Sequence, residues 1–233
     1  MALRDDPGGR RVSGEGWAAK IRAISWALAA LLVAGSLWMA AHAPLEVQMG
    51  IVQKIIYIHV PSATAAITAF FVTFMASIVY LVSGRNWRWD AIAVSSCEVG
   101  MVFSAIVLVT GPLWARSAWN TWWTWEPRLT SFLIMWILYG GYFLIRSSVG
   151  SGSRRDVSAV LGVILFVSVI ITYMSVTWWR GSLHPKSVTM VPEMRGVLSI
   201  SIIAWLVFYA AAFQERFRLE TLRHAAESRE DAR

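Results

Sequence analysis

Residues 55–82 read IIYIHVPSATAAITAFFVTFMASIVYLV, a run with no Asp, Glu, Lys or Arg. A helix rises about 1.5 Å per residue, so such a run crosses a hydrocarbon core of about 30 Å with residues to spare. Backbone N–H and C=O groups find no water in that core and must be satisfied within the segment, which a helix achieves. The alternating apolar and polar pattern of a membrane-barrel strand is not what this run shows.

Working outward, five more apolar runs lie at about residues 24–41, 91–114, 129–145, 157–179 and 197–213, the fourth and sixth of the set being on the short side. The whole chain of 233 residues is 57% hydrophobic and 15% charged, against about 25% charged in soluble domains. Its mean hydropathy is +0.54. The expected fold is all-α: one integral membrane six-helix bundle over residues 23–213, with a polar tail at 1–22 and a charged tail at 214–233. With no internal repeat or low-complexity region, it reads as a single domain.

Basic residues orient it. Fifteen of the 21 Lys and Arg fall in the two tails and in the second-to-third and fourth-to-fifth loops, among them Arg4, Lys20, Arg85, Arg88, Arg146, Arg154, Arg216 and Arg233. The other six are Lys54, Arg116, Arg128, Arg180, Lys186 and Arg195. Both termini are therefore expected in the cytoplasm of a multi-pass protein of the inner cell membrane, with external loops at about 42–54, 115–128 and 180–196. This bias accounts for most of the net charge of +7, so nucleic acid is not the expected partner. A polar stretch precedes the first run and no small-residue cleavage site follows it, so that run is expected to stay as a helix. The single Cys97 rules out an intramolecular disulfide and a CxxC redox pair, and no phosphate-binding GxxxxGK[ST] loop occurs.

The external face carries the chemistry. Five of the 14 tryptophans, Trp114, Trp119, Trp122, Trp123 and Trp125, fall within WARSAWNTWWTWEPRLTS at 114–131. A belt of aromatics anchors any multispanning protein, and isolated residues such as Trp26, Trp38 and Trp205 fit that role. Five in one short loop exceed it and read as a grip on a flat ligand. Trp119, Trp122 and Trp123 stand at i, i+3 and i+4, the spacing of one face of a short interfacial helix. Glu126 before Pro127 suits the start of the fourth helix, with Arg128 at the same rim.

Two histidines face the same side. His59 precedes Pro61, which suits a first turn or a kink, and His184 precedes Pro185, which biases it towards extended backbone. Each has a plain hydrogen-bonded structural reading; together they also supply what axial ligation of a haem iron requires. His42 reads as a helix exit and His224 as a solvated position in the charged tail. Glu98, costly inside an apolar run, reads as a structural partner of Arg88 or Arg146.

The segments TGPLWARSAWNTWWTWEPRLTS (110–131), KIIYIHVPSA (54–63) and GSLHP (181–185) resemble the tryptophan-rich, histidine-flanked signature of the cytochrome c maturation protein C family, CcmC. The resemblance covers about residues 20–213. It implies haem, b-type and non-covalent, held between His59 and His184 as metal ligands. Trp114, Trp119, Trp122, Trp123, Trp125, Glu126 and Arg128 would form the platform, with Arg128, Arg116 or Lys54 beside the propionates. It further implies transfer to the haem chaperone CcmE and association with the ABC transporter subunits CcmA and CcmB and the small subunit CcmD. The activity implied is non-hydrolytic haem transfer of a haem-lyase kind. Here WEPRLT stands where the family has WDxRLT, so the rim is expected to differ at Glu126 and Pro127. The competing readings are a permease subunit of an ABC haem exporter, which needs a polar route through the helices, and a b-type electron carrier, which needs deeper histidines.

Overall fold

The computed structural model describes residues 9–179, 183–184 and 190–230, with side chains from residue 16 onward, Ser151 excepted. Arg4, Arg180, Pro185, Lys186 and Arg233, and the side chains of Arg10 and Arg11, lie outside the described residues. Among the described residues there are six α-helices: α1 (Gly9–His42), α2 (Ile56–Val82), α3 (Trp87–Trp119), α4 (Pro127–Ser148), α5 (Ser151–Trp178) and α6 (Pro192–Glu230), with a 3₁₀ turn at Ile51–Ile55 leading into α2. All six contain a segment long and apolar enough to cross a membrane. This is a multi-pass membrane protein.

Local chemistry sets the helix ends. Asn86 caps α3, its side-chain oxygen accepting from Arg88 N at 3.0 Å, and the turn before it passes through Gly84 at φ 73°, where glycine is unstrained. Glu126 caps α4 by accepting from Leu129 N at 2.9 Å, and Pro127 takes the first helical position, as the sequence suggested. Pro61 lies inside α2, one turn beyond its start, and therefore not in the first turn.

The bundle centres on α2 and α3, which pack through small side chains. Thr73 Oγ1 reaches Ala93 O at 3.2 Å, and Ser96 Oγ donates to Ala69 O at 2.7 Å. A Cβ on Gly100 would lie 2.9 Å from Ala69 Cβ and 3.1 Å from the Phe70 ring. Such close approach is how helices associate where water supplies no hydrophobic drive. Gly100→Val is expected to cost about 1–3 kcal/mol through overpacking. Gly141→Val, with nothing within 4 Å of the added Cβ, serves as the control. Equal melting temperatures of the two variants in detergent would contradict this packing.

Two sequence readings are corrected at the end of the bundle that holds the α2–α3 turn. Glu98 pairs with neither Arg88 nor Arg146. Arg216 of α6 donates to both its carboxylate oxygens, Nη2 to Oε1 at 2.7 Å and Nε to Oε2. His224 is half-buried rather than simply solvated: its ring lies 4.1 Å from that of Trp87, and Arg155 Nη2 sits 3.2 Å from its Nδ1. Both follow from one fact, that the supposed tail from residue 214 continues α6 as helix to Glu230 and packs back on the bundle.

Candidate functional site

At the opposite end, a cavity opens between the start of α2, the last turns of α3, the first turn of α4 and the segment before α6. Its walls include Gln53, His59, Val60, Gly111, Trp114, Trp119, Trp123, Arg128, Phe132 and His184, and the empty space between them, mouth included, is about 940 Å³. His59 and His184, 125 positions apart in sequence, meet on this one cavity.

The chain folds this way for local reasons. Trp114 and Trp119 both ride on α3, which continues five residues past the apolar run, and their rings meet edge to face at 5.1 Å. Asn120 then ends the helix in the left-handed conformation, φ 54°, which asparagine tolerates better than most residues. Residues 120–126 are not helical. The expectation of a helical face shared by Trp119, Trp122 and Trp123 is thus overturned. Trp119 and Trp123 turn to the cavity, whereas Trp122 and Trp125 do not line it and are 58% and 76% exposed. Glu126 does not line it either: it is buried at the head of α4, where it holds the backbone that presents Arg128.

Arg128 both lines the cavity and donates from Nη1 to Tyr173 O at 3.2 Å, tying α4 to α5. Arg116 and Lys54, the other cations considered, are used elsewhere. Arg116 closes the end of α3 on Asn120 O at 2.7 Å, and Lys54 Nζ donates to Ala41 O at 2.5 Å. His42 is also away from the cavity, stacked 4.5 Å from Trp38 with its Nδ1 2.8 Å from Trp38 O.

Three features escaped the sequence reading. His59 Nδ1 is 2.8 Å from Thr110 Oγ1. A Cβ on Gly111 would lie 3.6 Å from His59 Cε1, so the glycine leaves that edge of the imidazole clear. The buried indole N–H of Trp123 has no hydrogen-bond partner among the described residues. The Gly-Pro pair before Trp114 was the available signal for the second of these.

Fold and site together define a polytopic membrane protein with a histidine-bearing, tryptophan-walled cavity at one end of its helices. The family model described as heme exporter protein C matches residues 13–232, so the chain belongs to that family. Similar proteins of that name occur in Rhodobacter capsulatus, 30% identical over 85% of this chain and 86% of the relative, and in Paracoccus denitrificans, 35% identical over 72% and 69%. The Escherichia coli K12 protein is 33% identical over 81% of this chain and 78% of its own.

Proposed function

We propose that the chain binds haem in this cavity, on the external side of the inner membrane, and passes it to a haem chaperone of the CcmE kind during cytochrome c maturation. The observation that carries this reading is the convergence of His59 and His184 on one apolar, indole-walled space. The donor set suits the group. His59 and His184 would hold the iron, Trp114, Trp119 and Trp123 offer flat apolar faces, and Arg128 with the Trp123 N–H, which has no partner among the described residues, would serve the carboxylates. The single cysteine, Cys97, is fully buried in the bundle core and cannot form a thioether there, which favours non-covalent, b-type binding.

When bound, haem supplies the reactive vinyl edge and the iron, and the chain's own residues orient it. His59 and His184 fix its centre, the indoles exclude water from one side, and Arg128 sets its rotation. Positioning is then the chief contribution to transfer. Trp122 and Trp125, exposed beside the cavity, form the face for the chaperone, while the outer faces of the helices are left for transporter subunits such as CcmA, CcmB and CcmD. An export route through this chain is the weaker reading. Ala66, Phe70, Cys97, Phe103, Tyr139 and Tyr142, each at most 1% exposed, fill the levels of α2, α3 and α4 beneath the cavity.

The test is haem titration of the detergent-purified chain with Soret spectroscopy. Low-spin haem is expected on the wild type. Trp119→Ala and Trp123→Ala should each weaken binding about 5-fold to 30-fold, the equivalent of about 1–2 kcal/mol of lost aromatic contact. Trp122→Ala should leave it within about 2-fold, since its exposed ring does not line the cavity, and Trp125→Ala should cost less than Trp123→Ala, because Trp125 only backs Trp123 edge to face at 5.8 Å. The opposite ranking would place the haem on the outer loop surface and sink the cavity as its site.

A further inference from the structure

The hydrogen bond at His59 has a direction that the geometry determines. Thr110 Oγ1 lies 2.8 Å from the carbonyl oxygen of Ile106, one helical turn back, and 2.8 Å from His59 Nδ1. A carbonyl oxygen has no hydrogen, so an O···O contact of that length requires the threonine hydroxyl hydrogen to lie between the two. A hydroxyl has one hydrogen to give. It is spent on Ile106, and Thr110 Oγ1 can meet the imidazole only as an acceptor. Nδ1 must therefore carry the proton, which leaves the lone pair of the neutral ring on Nε2.

We propose that Thr110 is a positioning residue that locks His59 in the Nδ1–H tautomer and so presents Nε2 to the haem iron. The inference rests on the haem reading above and adds the residue that makes one ligand competent. Thr110 is not on the cavity wall, so it acts through His59 alone. Its neighbour completes the arrangement: Gly111 lies beside Cε1, the carbon between the two ring nitrogens, and keeps the approach to the ring edge free of a side chain. Histidine ligands are commonly oriented through their second nitrogen, and loss of that partner typically costs 10-fold to 100-fold in affinity. Here a single helix, α3, supplies the orienting hydroxyl, the clearance and the first two indoles of the wall.

The experiment uses the full chain with ¹⁵N-labelled histidine, haem-free and haem-titrated, in wild type, Thr110→Val and Thr110→Ser. His59 signals are assigned by their loss in His59→Ala. Nitrogen NMR of the haem-free protein is expected to show His59 protonated on Nδ1 in the wild type and in Thr110→Ser, and a mixture of tautomers in Thr110→Val. Haem affinity is expected to fall about 10-fold to 100-fold in Thr110→Val and to return in Thr110→Ser, which keeps the acceptor and loses only a methyl. A wild-type His59 protonated on Nε2 overturns the proposal whatever the haem data show. So does unchanged haem affinity in Thr110→Val. A wild type with the Nδ1–H tautomer that binds no haem overturns both readings, but leaves the hydrogen bond intact, which tells that failure apart from failure of the tautomer.

Discussion

Replacing His59 and His184 together by alanine is expected to abolish the low-spin haem spectrum and to lower haem affinity by about 100-fold or more, beyond the 10-fold to 100-fold that loss of an orienting partner costs. On the proposed reading both imidazoles that would hold the iron are then gone, and the polar groups left on the described cavity wall are the Arg128 guanidinium, the indole N–H groups and the Gln53 amide. Each single variant should retain haem in a high-spin, five-coordinate form, and free imidazole added to it should restore the low-spin bands. His42→Ala is the control. Its ring is held against Trp38 and is not on the cavity wall, so its removal should change neither spectrum nor affinity. A double variant with a wild-type Soret band would mean that the iron is ligated elsewhere. The experiment also separates the two histidines, because His59 is held on a helix by Thr110 whereas His184 comes from the segment between α5 and α6.

Much of this site was legible from the sequence, for identifiable reasons. The six spans stand out because burial of backbone in lipid forces long uncharged runs, and the histidines stand out because they border those runs. Helix ends were less legible. Hydropathy registers only the part of a helix that meets lipid, so α6 was cut at residue 213, where ion pairs such as Arg216–Glu220 and Arg218–Glu215 take over its support. That truncation also hid the partner of Glu98 and the packing of His224. The tryptophan spacing misled because periodicity presumes an unbroken helix, and after the left-handed Asn120 only Trp119 and Trp123 of the expected trio face the cavity while Trp122 turns out. Thr110 carried no visible signal, since a threonine inside an apolar helix ordinarily bonds back to its own turn. Only its distance from His59, across two helices, reveals the second contact.

The second large effect belongs to the other end of the bundle. Arg146 of α4 donates two parallel hydrogen bonds to Asp90 of α3, Nη1 to Oδ1 and Nη2 to Oδ2, both 2.7 Å, and Asp90 is only 4% exposed. Arg155 of α5 and Glu220 of α6 stand 3.8 Å from this pair, so four helices converge on it. Removing one partner of a buried ion pair leaves the other charge uncompensated, which costs about 3–5 kcal/mol, whereas replacing both by apolar groups is often neutral. Arg146→Met is therefore expected to lower the melting temperature in detergent by about 10 °C. Adding Asp90→Leu should restore most of that loss, since Glu220 keeps Arg216 as its partner at 3.2 Å and only Arg155 loses a carboxylate neighbour. Arg146→Lys should fall between, because an ammonium cannot reproduce the two-pronged contact. An Arg146→Met chain that melts with the wild type, or a double variant less stable than either single, would show that the pair does not hold the helices. Since the cavity lies at the far end of α3 and α4, these variants should still bind haem below their melting temperatures, and loss of haem without loss of stability would instead tie the two ends together through those helices.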